Sequence, residues 1–189
     1  MANPLITRET IEEEVRKALG ATLRREAGPI ALDASIMTDL GATSIDFLDI
    51  NFRLENAFGI QLATQLLLDH VEEEVGEGKA IDRDNRITAA AARMLSMHLG
   101  ELPGLEAGMY ADDVATLVTP EVLVKSVLGI TDRLPEACTH CTERAWKTED
   151  GRQVVCGACG KPAEYPDGDT LTQEWIRKVE AEHQIFAGA

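Results

Sequence analysis

Four cysteines in the C-terminal part of the chain are spaced in a way that suits a single metal ion. They form two Cys-x2-Cys pairs separated by fourteen residues: Cys138, Cys141, Cys156 and Cys159. Each pair can approach a metal from one tight turn, and the two pairs together complete a tetrahedron. Because four thiolates leave no coordination position open, the pattern predicts a structural zinc ion rather than a catalytic one.

Two other uses of these cysteines compete with zinc. A pair of disulfides requires an oxidising compartment, and a redox Cys-x-x-Cys requires only one pair in a thioredoxin-like setting. The second pair, in the stretch Cys-Gly-Ala-Cys-Gly at residues 156–160, is similar to the second knuckle of zinc-ribbon modules. Few hydrophobic residues surround the cysteines, so we expect metal binding to supply on the order of 10 kcal/mol of folding free energy.

A serine hydroxyl is the second candidate for chemistry. Ser44 lies in the stretch Asp-Leu-Gly-Ala-Thr-Ser-Ile-Asp at residues 39–46, where a turn opens an amphipathic helix. The free N–H groups and the positive dipole end of such a helix would stabilise a phosphodiester on this hydroxyl. The alternative is that the hydroxyls only cap the helix, because Thr43-x-x-Asp46 fits a capping box. No Gly-x-Ser-x-Gly elbow indicates a serine nucleophile.

The helix that follows Ser44 has two apolar stripes. One stripe, at spacings of three and four residues, consists of Phe47, Ile50, Leu54 and Phe58. The other consists of Ile45, Leu48 and Phe52, and it is flanked by Asp46, Asp49 and Glu55. One stripe must face a core. The other is either buried as well, which the pattern alone favours, or forms a patch rimmed by negative charge that faces a partner.

The remaining elements are mostly helical by their periodicity. The pattern predicts a first helix that begins at Thr7 or Thr10 and ends at Gly28-Pro29, and a second over residues 44–58. Further helices are predicted near residues 67–75, 88–99, 120–128 and 171–186, with a helical turn at 112–117. A hairpin is expected between the cysteine pairs, and the last helix is expected to pack on that hairpin or on the bundle.

Composition restricts the classes of partner. The chain of 189 residues has 33 acidic and 18 basic residues, which gives a net charge of −15. This charge argues against nucleic acid and favours partners with basic surfaces. Apolar runs stay well short of the roughly 20 residues of a membrane span, so no membrane-embedded segment is predicted. The first residues lack the features of a signal peptide, and a cytoplasmic location is the expectation.

The Ser44 stretch resembles the acyl carrier protein motif, Asp-Leu-Gly-x-Asp-Ser-Leu-Asp. The resemblance continues through residues 47–50 and 54–60 and returns at residues 113–122, which resemble the third helix of the family and the start of its fourth. Two positions depart from the motif, since Thr43 replaces an aspartate and Ile45 replaces a leucine. Residues from about 61 to 109 have no counterpart in a minimal carrier and are interpreted as an insertion.

The resemblance implies a function for Ser44 and for the helix after it. Ser44 is implied to carry a covalent 4'-phosphopantetheine arm whose thiol holds an acyl group. The second helix is implied to be the recognition helix, with docking residues Ile45, Asp46, Leu48, Asp49, Phe52 and Glu55. The implied partners are a phosphopantetheinyl transferase and the acyl-loading and acyl-transferring enzymes of fatty-acid, lipid or polyketide-type biosynthesis, which would carry basic docking patches. The chain itself is not expected to be an enzyme.

The predicted fold is mainly α, with a four-helix carrier bundle and inserted helices, a zinc-ribbon hairpin and a terminal helix. The predicted domains are residues 1–134 with the insertion at about 61–109, the ribbon at 135–170 and the terminal helix at 171–189. The insertion is a lid, an enlarged acyl cavity, a docking surface or a mere thickening of the bundle. His70 and His98 are predicted to be packed rather than to bind a ligand. An acidic zinc-ribbon adaptor without cargo and a peptidyl or aminoacyl carrier are the alternative functions.

Overall fold

The computed structural model describes residues 5–100 and 102–187, and it is mainly helical with one antiparallel pair of strands. The mainly α class with a C-terminal hairpin is therefore confirmed. The predicted division into domains, whose limits at residues 1 and 189 lie outside the described residues, stays a prediction. In chain order the elements are α1 (Arg8–Leu23), α2 (Ser44–Phe58), α3 (Leu67–Val75), α4 (Ala89–Leu99), a 3-10 helix (Ala111–Leu117), α5 (Pro120–Thr131), β1 (Trp146–Thr148), β2 (Val154–Cys156) and α6 (Gly168–His183).

Two helix ends differ from the prediction. Helix α1 ends at Leu23 rather than at Gly28-Pro29, because Arg24 adopts a left-handed conformation and its N–H donates to the carbonyl of Gly20. Helix α5 continues past Gly129 to Thr131, since Gly129 lies on the exposed side of the helix while Ile130 is buried. In both cases burial and local hydrogen bonding outweigh the preference of glycine for a helix end.

Helices α1, α2 and α5 enclose the first of two hydrophobic cores. The buried residues of this core are aliphatic apart from Phe58. The hairpin joins it through Val154, which is buried, and Trp146, which packs at its edge. Its fully buried side chains include Ile11, Val15 and Leu19 of α1, Ile50 and Leu54 of α2, and Val124 and Val127 of α5. The cysteine-bearing hairpin is thus packed against the helices that position Ser44.

The inserted helices build a second core. Helices α3 and α4 pack with the 3-10 helix and with α6, whose Ile176 is fully buried between them. The other buried side chains of this core include Leu68, Val71, Met94, Leu95, Val114 and Val179. The interpretation that the insertion merely thickens the carrier bundle is therefore wrong. The expectation that the last helix packs on the ribbon or the bundle is also wrong in the main, since α6 covers the insertion.

One carboxylate joins α6 to the start of the insertion. Asp169, near the first residue of α6, accepts hydrogen bonds from the backbone N–H groups of Thr64 at 3.0 Å and Gln65 at 3.2 Å. It also lies 2.9 Å from Nε2 of His70, whose side chain is fully buried. Burial raises the pKa of Asp169, but the hydrogen bonds from Thr64 and His70 outweigh it and lower the pKa to about 2. Asp169 is therefore ionised wherever the protein is handled near neutral pH.

Both histidines of the insertion are packed, as predicted. His70 lies between α3 and α6, with Nδ1 at 3.5 Å from the amide nitrogen of Gln173. His98 contacts the ring of Trp175, with 4.4 Å between the ring centroids. Burial lowers the pKa of His98 to about 4, so the ring is neutral at neutral pH. The sequence did not indicate the partners of either ring, because they lie on α6, far along the chain.

The helices are short for membrane spans. The longest of those described, α1 and α6, have 16 residues each. In the described part of the chain no single helix is both long and apolar enough to cross a membrane. The 3-10 helix and α5 meet the criteria of length and composition only as a pair, across a bend of 88°.

Candidate attachment site and metal centre

Ser44 is the first residue of α2, and a neighbour caps the helix in its place. The hydroxyl of Thr43 accepts a hydrogen bond from the N–H of Asp46, while the Asp46 carboxylate accepts one from the N–H of Thr43 at 2.7 Å. The Asp46 carboxylate also accepts a hydrogen bond from the Thr43 hydroxyl at 2.7 Å, and this bond, together with the one from the Thr43 N–H, holds the pKa of Asp46 below its ordinary value. The Ser44 side chain is exposed, and the structure records no hydrogen bond from its hydroxyl to the residues that it describes. The hydroxyl is therefore accessible from solvent.

The loop before Ser44 is held by hydrogen bonds to the segment that precedes α5. The N–H of Ile36 donates to the carbonyl of Val118 at 2.9 Å, and the Ser35 hydroxyl donates to the carbonyl of Thr116 at 2.6 Å. Gly41 turns the chain towards α2 with a φ of 75°, a conformation that glycine adopts without a steric penalty. Ser44 thus lies at a defined point of the surface, at the positive end of the α2 dipole.

The two apolar stripes of α2 differ in solvent exposure. Ile50 and Leu54 are fully buried in the first core. In contrast, Ile45 is 75% exposed, Leu48 is 70% exposed and Phe52 is 63% exposed. The interpretation that both stripes are buried is therefore wrong. The helix presents a row of large apolar side chains beside the Ser44 hydroxyl, whereas the docking role of that row stays a prediction.

The carboxylates beside this row all have partners within the protein. Asp46 bonds to Thr43, as described above, and Glu55 accepts a hydrogen bond from the N–H of Leu62 at 2.9 Å. Asp49 accepts one from the hydroxyl of Thr22 at 2.6 Å and another from the guanidinium of Arg53 at 2.8 Å. These two bonds hold the pKa of Asp49 below its ordinary value. The spacing of Asp49 and Arg53 by four residues on a helix was a signal that could have indicated their pairing.

The four cysteines meet in one cluster. Their sulfur atoms all lie within 4.8 Å of one another. The Sγ atoms of Cys138 and Cys159 are 3.7 Å apart, and those of Cys141 and Cys156 are 3.6 Å apart. A tetrahedral zinc ion with Zn–S bonds of about 2.3 Å holds its sulfur ligands about 3.8 Å apart. The geometry of the cluster therefore fits a zinc ion with four thiolate ligands.

Backbone turns shape each side of the cluster. The N–H of Thr142 donates to the carbonyl of Cys138 at 2.8 Å, and the N–H of Gly160 donates to the carbonyl of Cys156 at the same distance. Backbone N–H groups, first that of Cys159, lower the pKa of Cys156 to about 7. The backbone N–H of Glu143 lowers the pKa of Cys141, but burial and the neighbouring thiols outweigh it and raise that pKa to about 12. A divalent cation would stabilise the thiolate form of all four.

The two turns differ in the residue that follows the second cysteine, and this difference gives a prediction. Gly160 has a φ of 73°, and Thr142, in the equivalent place of the first turn, has a φ of 63°. The left-handed conformation costs a residue with a side chain about 1–2 kcal/mol of folding free energy. Glycine avoids this cost, but its greater freedom in the unfolded chain destabilises the folded state by roughly 0.5–1 kcal/mol. Thr142→Gly is therefore expected to raise the free energy of unfolding by about 0.5–1 kcal/mol, measured by urea denaturation of the zinc-loaded protein.

The reverse substitution at the second turn is the matched control. Gly160→Thr places a β-branched residue in the same left-handed conformation and is expected to lower the free energy of unfolding by about 0.5–1 kcal/mol. Equal effects of the same sign from the two substitutions would contradict this account of the turns.

Comparison with known proteins gives a consistent set of matches. A sequence family described as "Phosphopantetheine attachment site" matches residues 13–71, which include Ser44. A protein of Mesorhizobium japonicum named "Acyl carrier protein AcpXL" is 33% identical over 75 residues, which are 40% of this chain and 76% of that protein. A protein of the same name from Brucella melitensis is 34% identical over 67 residues, 35% of this chain and 68% of the relative. No solved structure matches the chain significantly.

Proposed function

Because this chain belongs to the acyl carrier protein family, we propose that Ser44 is its attachment residue for a 4'-phosphopantetheine arm. Members of this family are carriers, so the chain is a carrier and not a catalyst. When attached, the arm holds an acyl group as a thioester on its thiol. The protein contributes the display of the arm and the choice of partners.

The observation that carries this proposal is the exposed hydroxyl of Ser44, at the first residue of α2, which has no hydrogen bond to the described part of the chain. Thr43 supplies the cap, so modification of Ser44 would not cost the helix its first hydrogen bonds. The backbone N–H groups of the first turn would face the phosphodiester, and anions are stabilised at this end of a helix. The family match includes this residue and the whole of α2.

The experiment is a measurement of intact mass after coexpression with a phosphopantetheinyl transferase. The wild type is expected to gain the mass of one arm, and Ser44→Ala is expected to gain none. Ser126→Ala, which removes an exposed hydroxyl from α5, is the control and should gain one arm like the wild type. An arm that persists in Ser44→Ala would overturn the assignment, and so would a wild type that gains none.

The partners and the pathway belong to the same proposal. A phosphopantetheinyl transferase would attach the arm, and acyl-loading and acyl-transferring enzymes would use it in fatty-acid, lipid or polyketide-type biosynthesis. The relatives in Mesorhizobium and Brucella, named as acyl carrier proteins, support an acyl group over an aminoacyl or peptidyl group. Release and identification of the thioester-bound group from the purified native protein distinguishes these classes of cargo.

We also propose that the four cysteines bind a structural zinc ion. The support is the fit between their sulfur–sulfur distances and a tetrahedral site. All four ligand positions are taken by protein thiolates, so the ion would stabilise the hairpin and take no part in handling cargo. The hairpin contacts the bundle at the end of α2, where the side-chain amide of Gln153 donates to the carbonyl of Asn56 at 2.9 Å.

A further inference from the structure

The four cysteines of the cluster are unequally open to solvent. Cys138 and Cys156 are buried and Cys141 is half-buried, whereas Cys159 is exposed. The Sγ atom of Cys159 lies 3.7 Å from that of Cys138. Among thiols of similar chemistry the exposed one is oxidised first, and a second thiol beside it can then form a disulfide with it. The cluster therefore combines a cysteine that a small oxidant reaches with a neighbouring thiol that can resolve the product.

The pair Cys138 and Cys159 suits reversible oxidation by a peroxide. The thiolate of Cys159 would take up a hydroxyl group from hydrogen peroxide and become a sulfenic acid, while hydroxide leaves. The thiolate of Cys138 would then attack that sulfur, so that a disulfide bond forms and a second hydroxide leaves. One peroxide molecule is thus reduced to two hydroxides for each disulfide formed. Two of the four metal ligands are lost in the same step.

The cluster is joined to the first core by the strand that carries Cys156. This buried cysteine ends β2, where it pairs with Trp146 of β1. Two residues earlier in the same strand, Val154 is buried in the first core, and Trp146 packs against that core. A hairpin of two strands is marginally stable by itself. Loss of the metal ligands would therefore weaken the packing of Val154 and Trp146.

The same hairpin holds the C-terminal end of α2. The last carbonyl groups of a helix have no partner within the helix. The carbonyl of Asn56, in the last turn of α2, accepts a hydrogen bond from the side-chain amide of Gln153 at 2.9 Å. Beside Gln153, the guanidinium of Arg152 lies 3.5 Å from the carboxylate of Glu14 on α1. The hairpin thus connects α1 with the helix that begins at Ser44.

We propose that the cysteine cluster is a redox switch, in which a peroxide joins Cys159 to Cys138, the metal is released and the hairpin loosens its hold on the end of α2. The proposal rests on the structural zinc ion proposed above, because only an occupied cluster can release a metal. It gives the cysteines a function besides stability, since the order of the helix that begins at Ser44 would follow their oxidation state. A thiol reductant and zinc would restore the first state.

The first experiment treats the full chain, purified under reducing conditions, with hydrogen peroxide in small molar excess. The wild type is expected to release one zinc ion per chain, measured with a chromogenic chelator. Alkylation of the remaining thiols and fragmentation of the linked peptides are expected to show Cys138 joined to Cys159. A first disulfide between other cysteines, or a disulfide that leaves the zinc bound, would overturn the proposal. A reduced chain that holds no zinc before treatment would instead refute the proposed metal site.

The second experiment measures hydrogen exchange at the end of α2. The N–H groups of Gly59 and Ile60 donate to the carbonyl of Glu55 at 2.8 and 3.2 Å, so their protection reports whether this end is formed. Peroxide treatment is expected to lower their protection by about tenfold or more, because the bond from Gln153 and the packing of the hairpin are lost together. Unchanged protection in a chain that has released its zinc would show that the cluster does not control α2.

A variant of the contact itself separates the hold on α2 from the metal. Gln153→Ala removes the donor to Asn56 but no metal ligand. It is expected to keep one zinc ion and to lower the protection of Gly59 and Ile60 by roughly threefold to tenfold, as the loss of one hydrogen bond does.

Arg144→Ala is the matched control for this variant. It removes an ion pair of the cysteine module with Glu136, at 3.2 Å, in which both side chains are largely exposed. It is expected to keep both the zinc and the protection at the end of α2. Equal losses of protection in Gln153→Ala and Arg144→Ala, or no loss in either, would contradict the role of Gln153 in the switch.

Discussion

Replacing Cys156 by serine is expected to abolish zinc binding and to unfold the hairpin together with part of the carrier core. Serine does not supply the thiolate that completes the tetrahedron, and structural zinc contributes on the order of 10 kcal/mol to the folding of modules of this kind. The hairpin also places Val154 and Trp146 against the first core. Their removal exposes apolar surface at a cost of about 1.5–3 kcal/mol for each side chain. The loss is thus expected to reach α1 and α2.

Two measurements check this result. Metal analysis is expected to find one zinc ion per wild-type chain and well under half an equivalent in Cys156→Ser, whose thermal midpoint falls. His140→Ala is the matched control, because His140 lies between Cys138 and Cys141 but its ring is exposed and contacts Glu164 at 3.3 Å. It is expected to retain the zinc and the midpoint. A wild type isolated without zinc and with oxidised cysteines would refute the metal assignment.

Alanine at Gly168 is the second substitution with a large expected effect. A Cβ atom there would lie 2.3 Å from the backbone nitrogen of Ala63 and 2.8 Å from the carbonyl carbon of Leu62. Backbone atoms cannot rotate away as the end of a side chain does, so α6 would have to move. That shift would break the bonds of Asp169 to Thr64 and His70. We expect Gly168→Ala to lower the free energy of unfolding by about 3 kcal/mol, measured by urea denaturation.

The chain supplies its own control for this substitution. Gly129 also lies within a helix, but a Cβ atom there meets no other atom within 4 Å. Alanine at an exposed helical position is more stable than glycine by roughly 0.5–1 kcal/mol, so Gly129→Ala is expected to stabilise the protein. If Gly168→Ala also stabilised it, the close packing of α6 on residues 62–63 would be refuted.

Local signals in the sequence were sufficient for α2 and for the cysteine cluster. The capping residues around Thr43 and the turn at Gly59 mark both ends of α2 within its own residues. Each cysteine pair forms its turn locally, so the prediction that the two pairs meet needed only the hairpin between them. Which apolar stripe of α2 is buried was a different question, because it depends on α1 and α5, and the periodicity of one helix does not contain that information.

The second core lay beyond what the sequence could indicate. His70 and Asp169 are far apart in the chain, and nothing in the residues around either of them points to the other. Likewise, the apolar periodicity of α6 predicted that one of its faces is buried. It could not predict which other helices of the chain cover that face, because an apolar face can pack on any apolar surface. The pairing of Asp49 with Arg53 was visible in the spacing, whereas the bond from Thr22 required the packing of α1 against α2.

The packing of α6 on the insertion has a consequence for the order in which the protein folds during synthesis. Helices α1, α2 and α5 have all left the ribosome before α6 is made, so their shared core can begin to form early. The core of the insertion cannot form completely until α6 has been synthesised. Its Ile176 and Val179, which pack with Leu68, Val71 and Met94, lie more than seventy residues after Met94. Until then the insertion exposes apolar surface, and a chain broken before α6 keeps that surface exposed. Such a chain would carry Ser44 but would leave this apolar surface open to proteases, so we expect the completed chain to persist longer than the broken one.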